Sequence, residues 1–454
     1  MSENVIHEVK DFYEGVRGIA VKILNRVDRT DAYLDKILET ELKRSELKSI
    51  DKALLFEIVH GVIRYLGRID WILTGFYKGQ FSKSIPNVKN ALRVALYQIL
   101  FLDKVPDYAA VNEAVEFIKK LQGQKPADLT NAILRNIIKN KESLRYPSEE
   151  EDLINYLSVY YSHPVWLVKR WLNNYGREFT EKLLSANNEK PYISLRVNNL
   201  ISNEEELCKL LDAVELKYTK SNWVNGFIRL NNLTNITDWE YFNKGYFTIQ
   251  DESTALPCIL LDVHEDMNIL DMCAAPGGKT SIIADLLKNK GKIVAIDKYE
   301  SRLKVLEKNL SRLGVTNVNL IESDALEYSG NDFDRILIDA PCSGLGTLTK
   351  KPDIKWKRDN LDIRKLTATQ YDLLTHASKL VKIGGKIVYS TCTIETEENF
   401  GIIKKFLFEN PNFELIDAKQ FVNPELVDEN NCIQTFPNKH QIDGSFAAAL
   451  IRNF

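Results

Sequence analysis

Asp271-Met272-Cys273-Ala274-Ala275-Pro276-Gly277-Gly278-Lys279-Thr280 decides the fold. The apolar run Asn268–Met272 reads as a strand, and Lys279–Leu287 reads as a helix. Between them lies a turn of small residues, which lets a ligand approach the backbone, and the helix start offers unsatisfied N–H groups. The spacing is neither GxGxxG nor GxxxxGK, so it matches neither the dinucleotide fingerprint nor the phosphate loop. Close packing of a strand on a helix also selects small residues, so this turn gains its meaning from the elements C-terminal to it.

Those elements alternate in a β-α rhythm. Lys292–Asp297, Asn317–Glu322, Arg335–Asp339 and Lys386–Thr391 have strand patterns, and Glu300–Leu313 and Leu361–Val381 have helix patterns. The expectation is a Rossmann-like α/β domain, a parallel sheet with helices on both faces that binds ligands at the carboxyl ends of its strands. Asp297 ends the second strand, where a carboxylate can accept both ribose hydroxyls of a nucleoside. Asp324 follows the third, within reach of an adenine amino group. A single Asp at a strand end is often only a helix cap. Two in succession, in register with the small-residue turn, point to an adenosyl ligand. A triphosphate would call for Lys or Arg and Mg²⁺ ligands, so S-adenosylmethionine is the expected cofactor.

Two further motifs close strands. Asp339-Ala340-Pro341-Cys342-Ser343-Gly344 ends the fourth, and Ser390-Thr391-Cys392-Thr393 ends the fifth. In a doubly wound sheet these strands are neighbours, so both thiols reach one cleft. Cytosine C5 is a poor nucleophile, and a thiolate added to C6 makes it an enamine able to take a methyl group. Free cysteine has a pKa of ~8.5, so such a site must favour the thiolate. It also needs a donor near N3 and a base for the C5 proton. Asp339 is placed to face the base and the methyl group, and Lys279 to hold Asp339 or the target nucleotide. Spacing leaves open which thiol attacks, although DNA cytosine-C5 methyltransferases attack from a Pro-Cys dipeptide, here Cys342. Cys208, Cys258 and Cys432 read as small buried apolar residues, and Cys273 as packing within the turn.

At 454 residues, the chain is long enough for two or three domains, each with its own core. Six scattered cysteines without a CxxC pair, and six dispersed histidines, argue against a disulfide scaffold and against a metal site. No apolar run suits a membrane span or a cleaved leader, so a cytoplasmic protein is expected, and a monomer. The net charge of −3 hides an asymmetry. Residues 1–145 hold 24 Lys and Arg against 19 Asp and Glu, while the remainder holds 36 against 44. The N-terminal part is therefore the better candidate to face phosphates, though an ordinary solvated helical surface would carry the same balance.

Residues 1–145 place apolar side chains at helical spacing in Arg17–Val27, Asp51–Phe76, Pro86–Leu102, Asp107–Gln122 and Pro126–Lys139, which predicts an all-α bundle. Residues 146–250 read as a small α+β module, RNA-recognition-like. It has a helix after Pro164, strands at Tyr192–Val197, Phe227–Leu230 and Gly245–Ile249, and a helix at Asn203–Leu211. Residues 251–454 are the α/β domain.

These runs resemble the RNA cytosine-C5 methyltransferases. The resemblance implies that the Thr-Cys thiol, Cys392, is the nucleophile and that Cys342 assists product release. It carries the cofactor contacts onto Cys273, Ala274, Ala275, Pro276, Gly277, Gly278, Lys279, Asp297, Asp324 and Asp339. Val105-Pro106-Asp107-Tyr108-Ala109-Ala110-Val111-Asn112-Glu113-Ala114 and Thr130-Asn131-Ala132-Ile133-Leu134-Arg135 look like a NusB-type RNA-binding domain. Ser162-His163-Pro164 to Trp171, Leu195-Arg196-Val197-Asn198 and Pro352-Asp353-Ile354-Lys355-Trp356 resemble the bacterial RsmB (Sun/Fmu) subgroup. That subgroup modifies one cytosine in 16S rRNA, naked or in early small-subunit assembly. Two positions depart from its pattern. Asp443-Gly444-Ser445-Phe446 stands where Asp-Gly-Phe-Phe is common, and Lys351 stands where His or Arg precedes the proline.

Three other readings stand beside this one: the same chemistry on another rRNA or on tRNA, a catalytically silent RNA-binding protein, and a methyltransferase for a small molecule or protein. A silent protein has no reason to keep both thiols with Asp339 and Lys279. A small substrate leaves the two N-terminal segments without a task.

Overall fold

The computed structural model describes residues 13–231, 236–330 and 332–454. They pack as two compact units, Met1–Glu189 with Lys351–Lys357, and Lys190–Lys350 with Arg358–Phe454.

The first unit is helical. Gly15–Arg29, Leu34–Arg44, Ser49–Arg64, Leu66–Phe76, Pro86–Phe101, Asp107–Gln122 and Gln124–Lys139 surround a core that includes Leu24, Leu55, Ile58, Leu92, Leu96 and Leu134. Pro86 opens its helix, where the missing N–H costs nothing. The buried Arg93 on that helix is paired with Asp70 at 2.6 Å and Asp28 at 3.1 Å, as a buried guanidinium requires. Leu153–Tyr160, Val165–Tyr175 and Arg177–Ala186 complete the unit.

The expected helix Asp51–Phe76 is two helices. Its backbone breaks at Tyr65, with φ −103° and ψ 20°, and the Gly67 N–H donates to Ser162 Oγ at 2.7 Å. The apolar period continues through the break, and the acceptor that permits it comes from a distant residue. Pro126 is not a helix start. The helix begins at Gln124 after Gly123 (φ +85°), which leaves the proline in the first turn, where it is tolerated. Leu34–Arg44 is a further helix, beyond those that the apolar spacing marks.

The segment Lys351–Lys357 belongs to this unit and satisfies helix ends in it. Asp353 Oδ2 accepts the Leu34 N–H at 2.9 Å, at the start of Leu34–Arg44. Lys355 Nζ and Trp356 Nε1 donate to the Arg64 and Ile63 carbonyls, each at 2.9 Å, in the last turn of Ser49–Arg64.

The second unit holds two sheets. The smaller is antiparallel: β1 (Ile193–Val197), β2 (Tyr218–Lys220), β3 (Phe227–Leu230) and β4 (Phe247–Ile249), in the order β2-β3-β1-β4. Helix Glu204–Ala213, capped by Asn203, packs Leu207 and Leu211 against it. This is the small α+β module, of ferredoxin-like form. The larger sheet contains β5 (Asn268–Asp271), β6 (Lys292–Asp297), β7 (Val318–Glu322), β8 (Phe333–Asp339), β9 (Val381–Thr391), β10 (Phe413–Ile416), β11 (Ile433–Gln434) and β12 (Phe446–Arg452). Its order is β10-β12-β9-β8-β5-β6-β7, with β11 beside β12.

Strands β5 to β9 are parallel, as expected, and the order reverses at β5, which opens a crevice at the carboxyl ends. The expectation of a wholly parallel sheet is corrected at the far edge. There β12 runs antiparallel between β9 and β10. Its Ala447-Ala448-Ala449 run is buried on both sides and lacks the large β-branched residues that mark a strand in sequence. The middle module is tied to the α/β domain within this unit. Arg196 donates from Nη2 to Ser281 at 2.8 Å.

Lys355 yields a prediction. It is fully buried, and burial together with the Arg64 charge holds its pKa well below the lysine range. The folded chain thus takes up this proton less readily than the unfolded chain, so stability falls as pH drops below about 10.4. Lys355→Met loses the bond to the Arg64 carbonyl and should lower the thermal midpoint, by less near pH ~7 than near pH ~9.5. An equal loss at both values would contradict the argument.

Candidate active site

The turn after β5 is closed by its own backbone. Ala274 N donates to Ile296 O at 2.9 Å, and Gly277 N donates to Ala274 O at 2.8 Å. Gly277 has φ +99°, and a Cβ at Gly278 would lie 2.9 Å from Gln250 Nε2. The first glycine is required by conformation, and a side chain at the second would have to displace the tip of Gln250. Beneath the turn, Asp271 is buried and accepts from Thr280 Oγ1 at 2.7 Å. Burial pushes its carboxyl up to about 7, against that hydrogen bond. Burial, with Asp339 and Asp271 nearby, likewise raises the Cys273 thiol, which suits packing rather than chemistry.

The two proposed cofactor carboxylates stand at neighbouring strand ends. Asp297 accepts the Tyr299 N–H at 3.1 Å and pairs with Arg302 at 3.2 Å. Asp324 accepts the Leu326 N–H at 3.1 Å and pairs with Lys298 at 2.8 Å, and the Lys298 bond lowers its pKa. Lys298 is 60% exposed, so displacing it costs little. Carboxylate oxygens at these two places can accept from ribose hydroxyls and from an adenine amino group.

Parallel pairing of β8 with β9 sets Asp339 opposite Ser390. The two cysteine loops therefore leave the sheet side by side. Cys342 Sγ lies 3.0 Å from Cys392 Sγ, and the Cys392 N–H donates to Cys342 Sγ at 3.3 Å. Lys279 Nζ forms an ion pair with Asp339 Oδ2 at 2.6 Å. Burial works against the Lys279 charge, but Asp339, followed by Cys258 and Cys392, holds its pKa above the usual lysine value. The hydrogen bond that the Cys342 thiol donates to Cys392, burial, and the charges of Cys392 and Glu398 push the Cys342 thiol well up. Lys279, Asp339, Cys342 and Cys392 thus form one cluster. Cys208, Cys258 and Cys432 are buried free thiols.

The Cys342 loop is also pinned from the side of β12. Gly346 N donates to Cys392 O at 3.1 Å, and Gly444 N donates to Gly346 O at 2.8 Å. Lys350 Nζ bonds Asp251 and lies 3.1 Å from Asp443 Oδ2. The Asp443-Gly444 motif therefore has a visible task, holding the loop after Cys342. Sequence reasoning passed over Glu398 and Asn399. Asn399 accepts from Thr391 Oγ1 at 2.6 Å and donates to Thr393 O at 3.0 Å. Their signal was two adjacent polar residues in the turn after the Thr-Cys motif. Among the described residues, no group of three or more His, Cys, Asp or Glu is placed to hold a metal ion, and no helix is long and apolar enough to cross a membrane.

Comparison with known proteins gives three matches along the chain. Residues 258–451 match the family described as 16S rRNA methyltransferase RsmB/F, and residues 14–139 match the NusB family. Residues 163–237 match the ferredoxin-like domain of RsmF/B-like methyltransferases. The chain is 35% identical over 443 residues to a probable ribosomal RNA small subunit methyltransferase B of Bacillus subtilis, covering 96% of this chain and 98% of that one. The crystal structure of PH0851 superposes with a TM-score of 0.81 at 28% identity, over 97% of this chain and 99% of that one. NSun6 of Pyrococcus horikoshii, solved with SFG, gives 0.59 at 26% identity, over 64% of this chain and 98% of that one.

A Cβ added at Gly346 would lie 1.8 Å from Gly444 O, so this backbone contact admits no side chain. Gly346→Ala should lower turnover by about 100-fold through displacement of the Cys342 loop, with cofactor affinity retained. Parent turnover in a steady-state methylation assay would show that the contact does not position the thiol.

Proposed function

We propose a reaction from one premise: this chain belongs to the 16S rRNA methyltransferase RsmB/F family and depends on S-adenosylmethionine. It methylates C5 of one cytosine in 16S rRNA through a transient cysteine adduct. The observation that carries this reading is the pair of thiols 3.0 Å apart at neighbouring strand ends, beside the Lys279–Asp339 ion pair.

The target cytosine is swung out of its stack into the crevice. The Cys342 thiol is pushed up and holds its proton, and the resemblance assigns the attack to the thiol of the Thr-Cys motif, Cys392. Cys392 adds to C6. Asp339, held by Lys279, binds the N3/N4 edge of the base. Cys273 to Lys279, Asp297, Asp324 and Asp339 would hold S-adenosylmethionine, which would supply an electrophilic methyl group. Once Cys392 is bonded to C6 its charge no longer opposes ionisation of Cys342, so Cys342 loses its own proton to solvent and takes the C5 proton, and the C5–H electrons re-form the C5=C6 bond and expel the Cys392 thiolate.

In this reading residues 1–145 are the NusB-like RNA-binding domain, 146–250 the small α+β module and 251–454 the catalytic domain. The substrate is 16S rRNA, naked or in early small-subunit assembly, and the chain works as a cytoplasmic monomer. The excess of basic over acidic residues in 1–145 supports a phosphate-facing role there.

Cys392→Ala should abolish turnover and leave no covalent product. Cys342→Ala should accumulate an RNA–protein adduct that survives a denaturing gel. An adduct in Cys392→Ala but not in Cys342→Ala would exchange the two roles.

A further inference from the structure

Glu398 lies in the turn between β9 and helix Phe400–Glu409, and its side chain is wholly buried. A carboxylate there demands an explanation, because burial of an acceptor is costly unless donors meet it. Three do. Glu398 Oε1 accepts the Ser343 N–H at 2.8 Å and the Gln370 amide at 3.0 Å, and Oε2 accepts the Ser343 hydroxyl at 2.5 Å. Gln370 Nε2 also donates to Pro341 O at 2.9 Å. The residues on both sides of Cys342 are thus held by one carboxylate, directly or through one amide.

The same carboxylate reaches the other loop. Ser343 Oγ lies 2.8 Å from Thr393 Oγ1. The Ser343 hydroxyl has one proton, and a carboxylate can only accept. That proton therefore goes to Glu398, and Thr393 donates to Ser343. The bonds run in one direction, Thr393 to Ser343 to Glu398, linking the residue after Cys392 to the residue after Cys342. The titratable groups facing Cys342 are Tyr389 on β9, Cys392 just after that strand, and Glu398 in the turn beyond. The Glu398 charge is among the causes that keep the Cys342 proton in place.

We propose that Glu398 is a positioning residue that locks the two cysteine loops in register. It acts through Ser343, Thr393 and its charge. The proposal rests on the reading that Cys392 attacks and Cys342 assists release.

Two separate arms test it. Adduct formation by Cys342→Ala stands or falls with the assigned roles of the thiols, whatever Glu398 does. Glu398→Gln then tests the proposal in the otherwise unaltered chain. Its turnover number should fall by about 100-fold, with KM for RNA and for S-adenosylmethionine within about twofold. The pH dependence of iodoacetamide labelling, read by mass spectrometry, should show Cys342 reacting at lower pH than in the parent, because the facing negative charge is gone. Glu398→Asp should keep the parent labelling order and recover part of the turnover. Parent turnover with unchanged Cys342 labelling in Glu398→Gln would overturn the proposal, as would an Asp variant no better than the Gln variant. If Glu398→Gln does not fold, Thr393→Val removes the link and leaves the carboxylate. It should lose about 10-fold in turnover with Cys342 labelling unchanged, and full turnover there would overturn the link.

Discussion

The parallel pairing of β8 with β9 is the constraint on which the site depends. It places Asp339 opposite Ser390, so the chain leaves both strands at one level. From that level, short loops bring two sulfur atoms within 3.0 Å. A one-residue slip would turn every side chain of a strand to the other face and separate the thiols. The register is guarded by the core around Ile336, Ile338, Ile387 and Tyr389, all fully buried.

Everything around the cleft fixes the loops that this pairing launches. The cofactor turn is shaped by two glycines and backed by Gln250 from the middle module. The Cys342 loop is fastened to the start of β12 through the Gly346–Gly444 backbone contact, and to Asp251 and Asp443 through Lys350. A loop bound at so many points holds a thiol in one place without the thiol itself making strong bonds. That suits a cysteine that must remain free to react.

Much of this was legible in the sequence. Strand periodicity located β5 to β9, and the motifs at their ends named the four residues that cluster, because chemistry in such sheets gathers at carboxyl ends. The features that escaped did so for physical reasons. The helix break at Tyr65 depends on Ser162, a residue far along the chain. The β12 strand is built of alanines, whose propensity for strand is low, and its burial comes from its neighbours. Glu398 reads in sequence as one acid among several in Glu395-Thr396-Glu397-Glu398, and only the fold shows which of them meets Ser343. A buried carboxylate satisfied by backbone and hydroxyl donors leaves no charge pattern to read.

The most direct test is to incubate total bacterial RNA with the purified protein and labelled S-adenosylmethionine, and to map protected cytosines by bisulfite sequencing. The account predicts one newly protected cytosine, in 16S rRNA. Label transferred to RNA with no protected cytosine would contradict C5 chemistry, and protection confined to tRNA or 23S rRNA would contradict the substrate.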